Sequence, residues 1–308
     1  MVRRLLFFFL FLMLPVISKA ETTIGISMSA FDDYFLSILR EAIADEAQEM
    51  NSVKLSFSDA RQDEIRQQTQ IDEFIAKKYA AIIVNPVDVS AKSTGLMSQK
   101  ARTAGIPLIF VNRKPDIPLE NGVYYVGSDS YLSGKLQMEY LAEISKGEGN
   151  IAIMVGVPSS GAARDRTQAI KDVVAQYPKM HIIEEDVANF SRVEGEQLMT
   201  RWLQSGKRFN MVAANNDEMA LGALLAMRKA GISPRQIQIA GIDATPDALY
   251  AMYQNELTAT VFQDAEAQGK IALRTAAALA EKSDRLPTAI LIPYQLVTPE
   301  NYRMYLRR

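Results

Sequence analysis

Side chains able to bind a small polar molecule collect behind the apolar segments of this chain. Ser29-Ala30-Phe31-Asp32-Asp33-Tyr34-Phe35 follows the first segment, Asn112-Arg113 the fourth, and Ala163-Arg164-Asp165-Arg166 the first of the second half. Asn189-Phe190, Asn215-Asn216-Asp217, Asp243 and Gln263-Asp264 follow later ones. Carboxylates accept hydrogen bonds, guanidinium groups donate in a planar fork, and amides do both. A ligand rich in hydroxyls needs that mixture, because each hydroxyl donates and accepts, while aromatic rings cover its C–H faces. Polar groups left unpaired by a wrong ligand cost about 1–3 kcal/mol each, which makes such a site selective. The chemistry fits a small sugar or cyclic polyol.

Catalysis finds little support. No GxxxxGK[ST] or GxGxxG phosphate loop follows a strand, and no Gly-x-Ser-x-Gly elbow occurs. The absence of Cys excludes thiol catalysis and disulfides, and the single His leaves no convincing nucleophile–base pair. The expectation is a non-enzymatic binder without cofactor or metal. Some of the polar residues also have structural readings. Asp32 or Asp33 could cap the helix that follows. Asp217 and Glu218 open a helix, where negative charge is favourable. Arg164 and Asp88 are read as loop supports, and Trp202, among Leu198, Met199 and Leu203, as core.

These residues need a scaffold, and the apolar pattern supplies one. Short β-prone runs at 23–28, 53–57, 81–84 and 107–112 alternate with helical patterns at 34–49, 64–77 and 92–104. The second half repeats the rhythm, with strands at 150–155, 181–187, 211–214 and 237–242 and helices between them. Such alternation indicates βαβ units and parallel sheets covered on both faces. The units exceed one comfortable sheet, so the expected fold is α/β with two Rossmann-like lobes. Residues 124–129 are the expected first crossover between them. In such sheets ligands bind beyond the carboxyl ends of the strands, where the polar clusters lie.

The N-terminus sets a compartment. Arg3 and Arg4 precede an apolar run at 5–16, and Ser18-Lys19-Ala20 offers small residues for a signal peptidase. The run is shorter than the roughly 20 residues that span a bilayer. No Cys follows it for a lipid anchor. Export to the periplasm with cleavage after Ala20 is the expectation. Losing Arg3, Arg4 and Lys19 leaves 31 of the 34 basic residues against 36 acidic ones. That balance speaks against nucleic-acid or anionic-membrane partners.

Four segments, in order and at matching spacing, carry a family resemblance: Asn85-Pro86-Val87-Asp88, Ala162-Ala163-Arg164-Asp165-Arg166, Asn216-Asp217-Glu218-Met219-Ala220-Leu221-Gly222 and Gly241-Ile242-Asp243-Ala244-Thr245-Pro246-Asp247. The chain resembles the ribose/galactose-type periplasmic sugar-binding proteins from Ile24 almost to its end. The resemblance implies ligand contacts at Asp33, Phe35, Asn112, Arg113, Arg166, Phe190, Asn216, Asp243 and Gln263. It also implies a three-segment hinge near Ser128, Asp264 and Pro293. One lobe would then hold residues 21–128 and 264–293, the other 129–263 and 294–308. Leu36, Asn112 and Ile242 depart from the ribose pattern. Phe31-Asp32-Asp33, Val111-Asn112-Arg113, Ala188-Asn189-Phe190-Ser191-Arg192, Phe262-Gln263-Asp264 and Gln295-Leu296-Val297-Thr298-Pro299-Glu300-Asn301 are closer to the inositol- and rhizopine-binding branch. The implied partner is an inner-membrane ABC permease, with a chemoreceptor or sensor kinase as the alternative. The implied state is a monomer that closes around its ligand.

Overall fold

The computed structural model describes residues 22–50, 52–282 and 286–306; the expected signal peptide lies outside the described residues. The first half runs β1 (Thr22–Met28), α1 (Tyr34–Glu49), β2 (Val53–Asp59), α2 (Glu64–Ala76), β3 (Ala81–Val84), α3 (Ala91–Thr103), β4 (Leu108–Asn112) and β5 (Val123–Gly127). The second continues with α4 (Ser130–Ile144), β6 (Glu148–Val155), α5 (Gly161–Val174), β7 (Lys179–Val187), α6 (Arg192–Gln204), β8 (Met211–Ala214) and α7 (Asp217–Lys229). Then come β9 (Gln238–Ala240), α8 (Pro246–Tyr253), β10 (Thr260–Phe262), α9 (Ala265–Ala280), β11 (Ala289–Leu291) and β12 (Gln295–Val297).

Two parallel sheets result, in the strand orders β11-β5-β4-β3-β1-β2 and β7-β6-β8-β9. Strand β3 shows why its sequence is continuously apolar. Ala81 and Ile83 enter the core beneath α1 and α9, whereas Ile82 and Val84 enter the one beneath α2 and α3. Both faces are dry, so no alternation of polar residues is possible. The second sheet is covered in the same way by two further clusters, one of them around Trp202, which packs edge-on against Phe209.

Connectivity between the sheets runs through several segments. Residues 123–127, mostly read as crossover from the sequence, form β5, which pairs with both β4 and β11. The chain leaves the first sheet only after Gly127. It returns after β10: α9 packs on α1, and β11 joins β5 in parallel. Strand β12 then pairs antiparallel with β10. The carboxyl ends of β1, β4, β6, β8 and β9 thereby lead into one region.

Candidate functional site

At that region lies a small cavity of about 40 Å³. From the first half it is lined by Asp33, Phe35, Leu36, Asn112 and Arg113. Facing them are Ser160, Ala162, Arg166, Phe190, Asn216, Asp243 and Gln263. Nine of the eleven candidates therefore meet in one place. Phe31 and Asp32 do not line it. Phe31 lies under the Arg40 guanidinium, 4.4 Å from its ring centre, and Asp32 is solvent-exposed beside a neighbouring opening.

Each lining group is fixed by its own element. Asp33 is the N-cap of α1, its Oδ1 accepting from the Leu36 amide at 2.9 Å. Capping and cavity lining are thus compatible in one side chain. Burial pushes its carboxyl above the ordinary value, against the Leu36 amide and the Arg113 charge. Arg113 is buried and donates through Nη1 to the Pro86 carbonyl at 3.0 Å. Burial weakens its hold on the proton, Asp33 strengthens it, and the nearby Arg166 charge weakens it again.

Asn112 ends β4 with φ 64, in the left-handed region that asparagine tolerates better than most residues. Its amide is held from both sides. Oδ1 accepts from Asn85 Nδ2 at 3.3 Å, and Nδ2 donates to Gln268 Oε1 on α9 at 3.2 Å. A carboxylate here could not donate to Gln268, so the amide suits the link between β4 and α9.

Arg166 is the most connected member of the site. Its Nε donates to Ser133 Oγ at 3.2 Å and Nη1 to the Asn215 carbonyl at 2.7 Å. Nη2 donates to Gln263 Oε1 at 2.8 Å and to the Tyr294 hydroxyl at 3.0 Å. One guanidinium thus ties α4, the turn after β8, the end of β10 and the segment before β12. Close approach of α4 makes this possible: a Cβ on Gly134 would lie 2.4 Å from the Arg166 carbonyl oxygen.

Asp243 stands 3.9 Å from Arg166 and is 6 % exposed. Burial holds its carboxyl well above the usual range, with the Arg166 charge opposing. Its φ of 129 is a strained conformation for a residue with a Cβ, of the order of 1–3 kcal/mol. The strain is held by backbone bonds on either side: the Asp243 N–H donates to the Val261 carbonyl at 2.8 Å, and the Gln263 N–H to the Asp243 carbonyl at 3.2 Å.

Asn216 caps α7 through Oδ1, which accepts from Met219 N at 3.0 Å, and its Nδ2 donates to the Phe190 carbonyl at 3.3 Å. Phe190 (φ 59) follows Asn189 (φ 50), and this pair of left-handed residues turns the ring toward the end of β6. Gly156 receives it; a Cβ there would fall 2.1 Å from the ring. Asp217, read as structural, is wholly buried below the cavity. Its oxygens accept from Thr260 Oγ1 at 2.6 Å and Thr245 N at 2.8 Å, tying α7 to α8 and β10. Ser160 is a cavity-lining residue that the sequence reading passed over, although it stands just before the Ala162–Arg166 segment. Tyr294, which orients Arg166 from 128 positions away, was equally invisible.

Comparison with known proteins agrees with this architecture. A family model described as a periplasmic binding protein domain matches residues 24–284. The chain is 44% identical over 285 residues to a Rhizobium meliloti protein named for rhizopine binding, covering 91% of each. It is 32% identical over 260 residues to the ribose import binding protein RbsB of Bacillus subtilis (strain 168), covering 84% of this chain and 82% of that one. A solved ABC transporter solute binding protein from Bacillus halodurans C-125, with bound myo-inositol, superposes with a TM-score of 0.89 at 41% identity. That match covers 94% of this chain and 98% of the other.

Proposed function

Since the chain belongs to the periplasmic binding protein family, we propose that it is an exported binding component of an ABC importer, capturing a cyclic polyol of the myo-inositol type. The observation that carries this reading is the composition of the cavity. Two arginines, two carboxylates, three amides and two phenylalanine rings converge from both sheets onto one small space. Net charge within it is close to balanced, which suits a neutral ligand with many hydroxyls better than an anion or a cation. The 41% identical relative solved with myo-inositol supports the cyclitol choice.

In this account the leader ends at Ala20, and the hinge segments lie near Ser128, Asp264 and Pro293. Ligand bridges the two lobes and favours their closed arrangement. Arg113 and Arg166 approach each other on closure, so their like charges oppose it until ligand oxygens accept from both. Contacts outside the cavity span the same division. Arg164 Nη2 meets Asp116 Oδ2 at 2.9 Å, and Ser159 Oγ donates to the Val87 carbonyl at 3.3 Å.

A thermal-shift panel of myo-inositol, other inositol isomers, ribose, galactose, glucose and xylose tests the ligand class, because a ligand that binds only the folded state raises Tm. The largest shift is expected with an inositol. A shift confined to a pentose or hexose would remove the cyclitol assignment. Gly156→Ala is a second check. The added methyl must displace the Phe190 ring, and the loss of one aromatic face, about 0.5–1.5 kcal/mol, is expected to weaken polyol binding up to about tenfold. Calorimetry showing wild-type affinity would take Phe190 out of the site.

A further inference from the structure

Nine α-helices occur among the described residues, and eight of them begin with a side-chain oxygen accepting from a first-turn amide. Helix α5 is the exception. Ser160 occupies its N-cap position with an extended backbone, φ −84 and ψ 126, that suits a capping serine, yet its hydroxyl makes no capping bond. Ser160 is fully buried, lines the cavity, and its Oγ has no hydrogen-bond partner among the described residues. A buried hydroxyl with no partner destabilises the fold, so its place in the cavity wall calls for a partner within the cavity.

We propose that Ser160 and the uncapped N-terminus of α5 form a subsite that reads one hydroxyl of the bound polyol; this rests on the polyol reading above. The first amides of a helix have no intrahelical acceptors, and the helix dipole makes that end favourable for an electron-rich oxygen. Ser160 Oγ can accept the proton of the same ligand hydroxyl, or donate to its oxygen, while a first-turn amide donates to it. Ala162, the other lining residue of this helix end, is small enough to leave the approach open. The two halves of the contact therefore match the donor and acceptor of one hydroxyl. Arg166, one and a half turns further along the same helix, is committed to four protein partners and is less free to do this.

The test is a calorimetric comparison of the wild type with Ser160→Ala. Both are titrated with myo-inositol, ribose and galactose, then with the monodeoxy derivatives of whichever binds best. Ser160→Ala breaks no bond within the protein, so its ligand-free Tm is expected to match or slightly exceed that of the wild type. Its affinity for the parent polyol is expected to fall about tenfold, the effect of losing one hydrogen bond in a buried site. One monodeoxy derivative, lacking the hydroxyl read by Ser160, is expected to bind both proteins equally. The subsite is overturned if the variant matches the wild type on the parent polyol, or if it weakens the parent and every derivative by the same factor. Absence of binding to the wild type by all three parents is a distinct pattern, which overturns the polyol reading and the subsite with it.

Discussion

Arg166→Met is expected to lower folding stability by about 3–5 kcal/mol, the range for removing one partner of a buried charged network, and to abolish ligand-dependent stabilisation. The residue is only 4 % exposed, so water cannot replace what is lost. Ser133 Oγ, the Asn215 carbonyl, Gln263 Oε1 and the Tyr294 hydroxyl would all lose a donor, and Asp243 its nearest cation. These partners come from four separate stretches of chain, so the damage would extend beyond the cavity wall. Arg166→Lys keeps the charge but not the planar fork, and is expected to recover only part of the loss. Urea unfolding of the two variants with and without ligand checks this. A midpoint unchanged in Arg166→Met would show that the four contacts contribute little.

The second large effect is a pH dependence seated at Asp217. Burial pushes its carboxyl up to about 6, although Thr260 and Thr245 donate to it. The ordinary value is 3.8, so the folded protein binds this proton more readily than the unfolded chain does. Its cost to stability is therefore fully present above about pH 6, falls as the pH drops through 6, and is gone below the unfolded value. A displacement of this size corresponds to about 3 kcal/mol. Asp33 and Asp243 are displaced in the same direction. Asp217→Asn is therefore expected to flatten part of the slope of stability between pH 7 and 4, leaving the remainder to those two. Denaturant midpoints across that range would measure it. Parallel curves for the variant and the wild type would move the effect elsewhere.

Much of the scaffold was legible because it depends on local pattern. Residues 34–49, read as a helix from their apolar spacing, form α1 with the same bounds, and Ala81 to Val84 declare a strand buried on both faces. The candidate residues were legible for a related reason: a parallel sheet sends the chain ends of its strands to one side, so polar residues after apolar runs converge. Division of labour among them was not legible. That Asn216 both caps α7 and lines the cavity depends on a backbone conformation, φ −151 and ψ 172, that no spacing encodes. Arg166 reads as an ordinary helical arginine until Gln263 and Tyr294 arrive from 97 and 128 residues away. Ser160 resembles any helix-capping serine, and only the missing capping bond sets it apart. Phe31 and Asp32 look equivalent to Asp33 and Phe35 in sequence, but the turn into α1 directs them away from the cavity.

Whether this cleft binds a cyclitol is decided by titration calorimetry of the purified protein with myo-inositol. Saturable binding of myo-inositol, tighter than that of ribose and lost in Asp243→Asn, is the expected result. Tight binding of ribose or galactose with no heat from myo-inositol would contradict it.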